Sequence, residues 1–207
     1  MKVLLINGSP KERGCTFTAL SEVASALNGD GVDTEIFHVG EGPVQGCIDC
    51  RRCGPDGCYF KGDVVDIALG KAKAADGFVF GSPVYWGAAS GQITSFLNRL
   101  YFSGIGAFRH KPGAAVVTCR RGGSTATLEQ LNKYLVISNM ILVGSQYWPM
   151  VHGNTPDELR QDLEGMQVMR VLGRNMAWVL KSIQAGREAG IQLPQPEEVR
   201  QRTNYIR

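Results

Sequence analysis

Apolar runs suited to buried strands alternate along the chain with segments of helical periodicity. The run from Lys2 to Asn7 ends at a turn signal, and it predicts a strand buried on both faces of a parallel sheet. After each predicted strand along the chain, apolar residues recur at helical spacing. The predicted strands cover residues 2–7, 32–39, 77–80, 114–119 and 141–147. The predicted helices cover residues 16–27, 63–75, 93–100, 128–138 and 156–185.

Strand and helix alternate five times, and this order predicts an α/β fold in which a doubly wound, five-stranded parallel sheet lies between two helical layers. Five strands favour the flavodoxin-like order 2-1-3-4-5. In that order the ligand binds beyond the carboxyl ends of the strands, at the switch point between strands one and three. We therefore expect the loops at 8–16, 81–90 and 119–125 to converge on one site.

The composition indicates one domain that acts on small molecules or other proteins. With 207 residues and 43% hydrophobic content, the chain suffices for one well-buried core. We assign residues 1–185 to this domain, with a Cys-rich insertion at 40–62, and residues 186–207 to a C-terminal arm. The balance of 22 Lys and Arg against 19 Asp and Glu is too mild for a nucleic-acid or membrane surface. The apolar run at 3–6 is too short for a signal peptide, so we expect a cytoplasmic protein.

The loop from Gly8 to Thr16 lies between the first strand and the first helix, where backbone N–H groups and the helix dipole favour an anion. Ser9 and Thr16 add hydroxyl donors. A Walker P-loop is excluded because Gly14 is followed by Cys15, and no Gly-x-Gly-x-x-Gly fingerprint is present. Neither exclusion applies to a loop that binds the phosphate monoester of a flavin. The alternative is a plain turn at Gly8-Ser9-Pro10 followed by a helix cap at Thr16.

These residues carry a family resemblance. The segment Asn7-Gly8-Ser9-Pro10-Lys11 with Thr16, followed by Gly81-Ser82-Pro83-Val84-Tyr85-Trp86-Gly87, resembles the NAD(P)H-dependent FMN reductase-like branch of the flavodoxin superfamily. The closing segment 202–207 is also similar to this group. The resemblance implies noncovalently bound FMN, which carries the chemistry, so that no catalytic side chain is predicted. The implied phosphate residues are Ser9, Lys11, Cys15, Thr16 and Thr18.

The same resemblance implies that the second and third loops surround the flavin ring. Tyr85 and Trp86 offer flat apolar faces to a planar ring, although aromatic residues at a strand's end can also fill a core. Arg120 or Arg121 lies near the ring's N1 and C2 carbonyl, or either is a solvated surface arginine. The implied ring residues are Pro83, Val84, Tyr85, Trp86 and Gly87, with Arg120, Gly122 and Gly123 from the third loop.

Four cysteines are crowded into the insertion. Cys47, Cys50 and Cys53 recur every three residues and Cys58 follows five positions later, a spacing at which thiolates can surround one metal centre. The spacing resembles the compact motif of the iron-sulfur flavoproteins, which implies a [4Fe-4S] cluster beside FMN, on the flavin's side of the sheet. Structural zinc, a redox-active dithiol or free cysteines are the alternatives. His38, His110 and His152 show no ligand spacing.

Three functions follow from this pattern. The first is an FMN-dependent oxidoreductase that takes electrons from NAD(P)H and passes them to a quinone, another flavin or an acceptor protein. The second is an iron-sulfur flavoprotein electron carrier, with a [4Fe-4S] cluster on the four cysteines. The third is a sensor or scaffold that retains only the fold. The resemblance also implies a homodimer or a homotetramer.

Overall fold

A computed structural model describes residues 1–195, 199, 201 and 203. Its sheet has the order β2-β1-β3-β5-β6, with β4 pairing β3 and β7 pairing β5. The strands are β1 Lys2–Asn7, β2 Asp33–His38, β3 Gly77–Tyr85, β4 Ala88–Ala89, β5 Pro112–Cys119, β6 Ile141–Leu142 and β7 Met150–His152. The helices are α1 Cys15–Gly29, α2 Val64–Ala74, α3 Gly91–Gly104, α4 Ser124–Ile137, α5 Pro156–Gln161 and α6 Leu163–Glu188.

The central strands separate two apolar cores, which confirms the three-layer α/β/α fold. Along β1, Val3 and Leu5 pack against α1 and α6, while Leu4 and Ile6 pack against α2, α3 and α4. This alternation is the period of two that any strand imposes on its side chains. Both sets are apolar because helices cover both faces of the sheet.

The sheet has seven strands rather than the predicted five. The predicted fifth strand at 141–147 is wrong: β6 and β7 each pair with a different part of β5, and the chain leaves the sheet between them. Gly144 and Ser145 are drawn toward α6, since the Gly144 carbonyl accepts from Asn175 and Ser145 Oγ donates to the Val168 carbonyl. The extra strand β4 folds back on the end of β3.

Two predicted boundaries also move. The last helix is interrupted at Asp162, whose carboxylate accepts from Gly165 N at 2.9 Å and thereby caps a new helix. The α6 helix ends at Glu188, so the expected boundary between domain and arm at residue 185 falls inside it. Gly190 has a φ of 87°, and Ile191 N bonds back to the Gly186 carbonyl at 2.9 Å. These contacts form a Schellman motif, which ends the helix there.

Part of the predicted arm lies outside the described residues, including 202 and 204–207 of the closing segment 202–207 of the resemblance. In the described part of the chain, no helix combines the length and the apolar character that a membrane span requires.

Candidate functional site

The first loop is held in shape by its own side chains. Asn7 Oδ1 accepts from Ser9 N at 3.1 Å, and Asn7 Nδ2 donates to the Glu12 carbonyl at 2.9 Å. Ser9 Oγ accepts from Lys11 N at 3.1 Å. Because these bonds bridge residues 7–12 within one turn, the loop reaches the N-terminus of α1 in a fixed conformation.

The same loop is tied to the end of β3 and to the start of α3. Gly8 N donates to the Gly81 carbonyl at 2.9 Å. Ser90 Oγ donates to the Gly8 carbonyl at 2.6 Å and also caps α3 by accepting from Ile93 N at 3.2 Å. Ser90 N donates to Ser82 Oγ at 3.0 Å. The first two loops therefore form one hydrogen-bonded unit.

A cavity of about 200 Å³ opens beyond the carboxyl ends of β1, β3 and β5, at the expected switch point. We call it the switch-point cavity. The predicted residues that line it are Ser9, Lys11, Cys15, Thr16, Pro83, Val84, Tyr85 and Arg120. Residues without a predicted role line it as well: Gly14, Thr118, Cys119, Gly153, Asn154 and Pro156.

The wall at 153–156 was missed because the fifth strand was expected to end at Tyr147. This wall follows β7. Gly153 N donates to the Cys119 carbonyl at 3.0 Å, and this bond joins the wall to the start of the third loop. The turn signal Gly153-Asn154, directly before the cap at Thr155, marks the end of a strand and could have identified it.

Five of the predicted residues are not among those lining the cavity. Thr18 is buried in the first turns of α1, and its hydroxyl donates to the Gly14 carbonyl at 3.2 Å. Trp86 and Gly87 form the tip of the β3–β4 hairpin with φ of 53° and 76°, and the Trp86 side chain is fully exposed. This is the conformation of a two-residue hairpin turn. The remaining two are Gly122 and Gly123.

Gly123 joins the second loop to the third. Its φ is 90°, and a Cβ at this position would lie 2.8 Å from Gly87 Cα and 2.9 Å from Val84 Cγ1. A glycine is therefore required on both counts. The three loops converge as expected, with Gly123 acting through backbone packing.

The charge in the switch-point cavity is positive. Lys11 and Arg120 are the charged residues among its walls, and the N-terminus of α1 adds its dipole. Burial raises the pKa of the Cys15 thiol, and it also raises that of Cys119. Both thiols are therefore neutral near pH 7. The cavity thus offers an anion the two cationic side chains of Lys11 and Arg120, with no thiolate to repel it.

The four cysteines of the insertion line a second cavity, of about 150 Å³, which we call the four-thiol cavity. Cys58 is buried, Cys50 is half-buried, and Cys47 and Cys53 are exposed at the rim. Burial raises the pKa of Cys53, and its three neighbouring thiols raise it further. The other walls are Ile48, Asp49, Arg51, Phe60, Arg99 and Phe102.

The four thiols surround a space rather than a point. Among the described residues, no three His, Cys, Asp or Glu side chains are arranged to hold a single metal ion. All four cysteines nevertheless line one cavity, and four cysteines at one site are the donor set of a polynuclear iron-sulfur centre.

A tight turn brings Cys58 back toward Cys53. Gly54 and Gly57 exchange backbone hydrogen bonds of 3.1 and 2.9 Å across Pro55 and Asp56. Gly57 has a φ of 100°. The Pro-Asp-Gly sequence is a turn signal with a known mechanism, and it accounts for the longer spacing before the fourth cysteine.

The four-thiol cavity lies beside α3. Arg99 and Phe102 in its wall belong to the later turns of this helix. Arg99 is nine residues beyond Ser90, which at the rise of an α-helix is about 14 Å. One helix therefore begins at its cap residue Ser90, which is hydrogen-bonded to the first two loops, and continues past the four-thiol cavity.

Comparison with known proteins identifies the family of this chain. The family model described as NADPH-dependent FMN reductase matches residues 1–155. An iron-sulfur flavoprotein of Methanocaldococcus jannaschii is 35% identical over 192 residues, covering 88% of this chain and 99% of the relative. An iron-sulfur flavoprotein of Methanosarcina thermophila is 28% identical over 193 residues, covering 91% and 100%.

Solved structures agree on the fold. RosB, solved with bound 8-demethyl-8-formylriboflavin-5'-phosphate, has a TM-score of 0.70 at 14% identity and covers 100% of this chain and 92% of its own. An archaeal flavodoxin has a TM-score of 0.58 at 16% identity, covering 87% and 99%. The chain therefore belongs to the NADPH-dependent FMN reductase family, in its iron-sulfur flavoprotein branch, and is a flavodoxin-like flavin oxidoreductase.

Proposed function

We propose that this protein is an electron-transfer flavoprotein with FMN in the switch-point cavity and a [4Fe-4S] cluster in the four-thiol cavity. The observation that carries the proposal is that Cys47, Cys50, Cys53 and Cys58 all line one cavity. That cavity contacts the helix whose first turn is bonded to the proposed flavin loop. Two redox centres would thus be connected through one rigid element.

The walls of the switch-point cavity suit FMN. Lys11, the N-terminus of α1 and the Thr16 hydroxyl would hold the phosphate, since each offers a positive charge or a donor. Pro83, Val84 and Tyr85 would contact the ring, and Arg120 would lie at its edge. When bound, FMN supplies both hydride and single-electron chemistry. The protein's own contribution is to bind, orient and shield it.

The four-thiol cavity suits a cluster better than zinc. Structural zinc requires four ligands about one point, with Zn–S distances of about 2.3 Å, whereas these thiols surround a cavity. Ile48, Phe60 and Phe102 give part of its wall an apolar lining. Two related archaeal proteins are named iron-sulfur flavoproteins, which supports the same ligand.

Anaerobic purification followed by assays of flavin, iron and sulfide tests this proposal. The expected result is one FMN with about four iron and four sulfide per chain. FMN with zinc, or FMN with no metal, would reject the cluster and leave a simple flavin reductase. Absence of FMN, together with no affinity for added FMN, would instead favour the sensor or scaffold.

NAD(P)H is the second part of the proposal. The description of the matching family model names NADPH, and Tyr85 reaches the rim of the switch-point cavity with 42% of its surface exposed, where a nicotinamide could approach. Electrons would then pass to a quinone, a flavin or an acceptor protein. Anaerobic bleaching of the flavin by NADH or NADPH is the expected result. A flavin that neither nucleotide bleaches would exclude both as donors.

We also propose that the chain associates into a homodimer or homotetramer. Trp178 on α6 has 71% of its surface exposed, and Ile191 in the following segment has 69%. Both side chains line one groove together with Leu193 and Pro194, and a contiguous exposed apolar surface is typical of protein contacts. Sedimentation equilibrium gives the oligomeric state directly, and a monomer at all concentrations would reject association.

A further inference from the structure

Arg99 is a buried charge that the flavin site does not use. It lies on α3, is only 1% exposed, and is the largest fully buried side chain described in the protein. Arginine is almost never fully buried unless its charge is paired, because removing a guanidinium from water is costly. Its presence in the wall of the four-thiol cavity therefore requires an explanation.

The guanidinium is held by the residues of the cysteine loop. Nη1 donates to the Asp63 carboxylate and to the Gln45 carbonyl, the latter at 3.3 Å. Nη2 donates to the Phe60 carbonyl at 3.2 Å. The guanidinium carbon also lies 5.2 Å from the centre of the Phe60 ring. The partners of Arg99 flank the cysteine run in sequence, with Gln45 before it and Phe60 and Asp63 after it.

The Nε donor of Arg99 is directed at a cysteine. Arg99 Nε donates to Cys58 Sγ at 3.4 Å, and Cys58 is the buried member of the four. A purely structural arginine could be satisfied by carbonyls and Asp63 alone. The N–H···S contact instead places a fixed positive charge against the most enclosed sulfur.

No second buried cation is available among the walls of this cavity. Arg51 is its other cationic wall, but 86% of the Arg51 side chain is exposed and it lies 3.6 Å from Asp49. Four thiolates around a [4Fe-4S] core carry net negative charge, and reduction adds one more. A buried N–H donor with a full charge stabilises the more negative state, because it is screened little by water.

We propose that Arg99 is a positioning residue of the four-thiol cavity, which holds Cys58 and raises the reduction potential of the cluster bound there. This inference rests on the proposed function. The Nη atoms of Arg99 hold the cysteine loop by hydrogen bonds to its carbonyls, and Nε–H donates to the Cys58 sulfur. Hydrogen bonds to ligating sulfur and nearby charge are established determinants of cluster potential.

The test is a potentiometric titration of the anaerobic holoprotein, with the cluster followed by EPR and the flavin by absorbance. Arg99→Gln removes the charge, and Arg99→Lys keeps the charge but lacks Nε–H. The matched control is Arg52→Gln, in the same loop, because Arg52 lies over the Tyr59 ring at 4.7 Å and does not line the cavity.

For Arg99→Gln, we expect the ratio of oxidised to reduced cluster at a fixed potential to rise about tenfold, which is about 59 mV for one electron. Arg99→Lys should raise this ratio about threefold and Arg52→Gln less than twofold. The flavin titration should be unchanged in all three. Iron content equal to wild type confirms that the cluster is intact.

An unchanged cluster ratio in a folded, iron-loaded Arg99→Gln protein overturns the assignment. If that variant does not fold, Arg99→Lys decides, and a ratio equal to the Arg52→Gln control then overturns it. Wild-type protein without iron and sulfide is a different outcome. It rejects the proposed function and the role of Arg99 together, whereas an iron-loaded wild type with insensitive variants rejects only the role of Arg99.

Discussion

The two cavities are built from different kinds of structure. The walls of the switch-point cavity come from loops that directly continue β1, β3, β5 and β7, and the positions of these loops are set by sheet register. The four-thiol cavity is formed by a long connection between β2 and α2, held by the single buried side chain of Arg99 and by a turn at Gly54–Gly57. The first is a property of the fold, while the second depends on a few contacts.

The largest expected effect is the loss of one centre without the other. Cys58→Ser removes the buried thiol of the four-thiol cavity, and a serine hydroxyl is a poor ligand for iron in a thiolate site. We expect nearly complete loss of iron and sulfide with an unchanged FMN content. Metal and flavin assays after anaerobic purification measure both.

Cys119→Ser is the matched control for that substitution. Cys119 is also buried but lies in the wall of the switch-point cavity. Its replacement should leave the iron content at the wild-type value. Equal iron loss in both variants would show that the cysteines act through general stability and not as ligands.

The next effect concerns the turn that returns Cys58 to the cavity. Gly57→Ala places a Cβ at 2.6 Å from Leu69 Cδ2 on a backbone with a φ of 100°. We expect a loss of about 2 to 3 kcal/mol in the free energy of unfolding, from backbone strain and the forced shift of Leu69. Urea unfolding measures it.

Gly54→Ala is the comparison on the other side of the same turn. A Cβ at Gly54 meets no described atom within 4 Å, so the change should stay within about 0.5 kcal/mol. If both alanines destabilised the protein equally, the turn geometry would be wrong.

Asp63 links this cavity to acid stability. Burial opposes ionisation of Asp63, but hydrogen bonds from Arg99 and from the first turn of α2 outweigh it, and the net pKa is lowered. A lowered folded-state pKa stabilises the protein at pH values above the unfolded pKa of about 3.9, and this stability is lost as pH falls through the folded value. Protonation of Asp63 should therefore weaken its ion pair with Arg99.

Asp63→Asn tests this link. We expect it to cost about 1 to 2 kcal/mol between pH 5 and 8, less than for a wholly buried pair because a third of the Asp63 side chain is exposed. The difference from wild type should shrink below about pH 4. Urea unfolding of metal-free protein across this range measures it, and a difference that grew on acidification would contradict the sign.

The smallest effect concerns the switch-point cavity. Thr16 is buried, and its hydroxyl lies 3.0 Å from the Thr118 hydroxyl. Thr16→Val removes a proposed phosphate donor and leaves Thr118 without this partner. We expect FMN affinity to fall about fivefold, or about 1 kcal/mol, because the sheet still holds the other walls in place. Fluorescence titration of apoprotein with FMN measures it.

Thr127→Val is the matched control. Within the described part of the chain, the Thr127 hydroxyl is buried and has no hydrogen-bond partner. Its removal should leave FMN affinity unchanged. Similar losses in the two variants would assign the effect to packing and not to the phosphate.

The same contrast explains what could be predicted from the sequence. The α/β/α layers follow from local signals, since apolar runs and helical spacing are written into consecutive residues. The positions of Ser9, Lys11 and Thr16 near the carboxyl end of β1 could be predicted, because the loop that follows a strand begins at that end. The break at Gly144, by contrast, depends on hydrogen bonds to Asn175 and Val168 on α6, which no local pattern encodes.

The role of Arg99 could not be predicted for a similar reason. In the sequence it is one polar residue on an amphipathic helix, and the usual expectation for such a residue is a solvated face. Only the folded chain brings the cysteine loop, Asp63 and Phe60 around it. The exposed position of Trp86 was equally hidden, since a tryptophan with positive φ runs against local preference.

We propose that one chain holds two redox centres in two separate cavities. A coulometric reductive titration of the anaerobic holoprotein, with electrons counted per chain, tests it most directly. We expect uptake of about three electrons, two with the flavin absorbance change and one with the cluster signal. Uptake of only two electrons, with no signal beyond the flavin's, would contradict it.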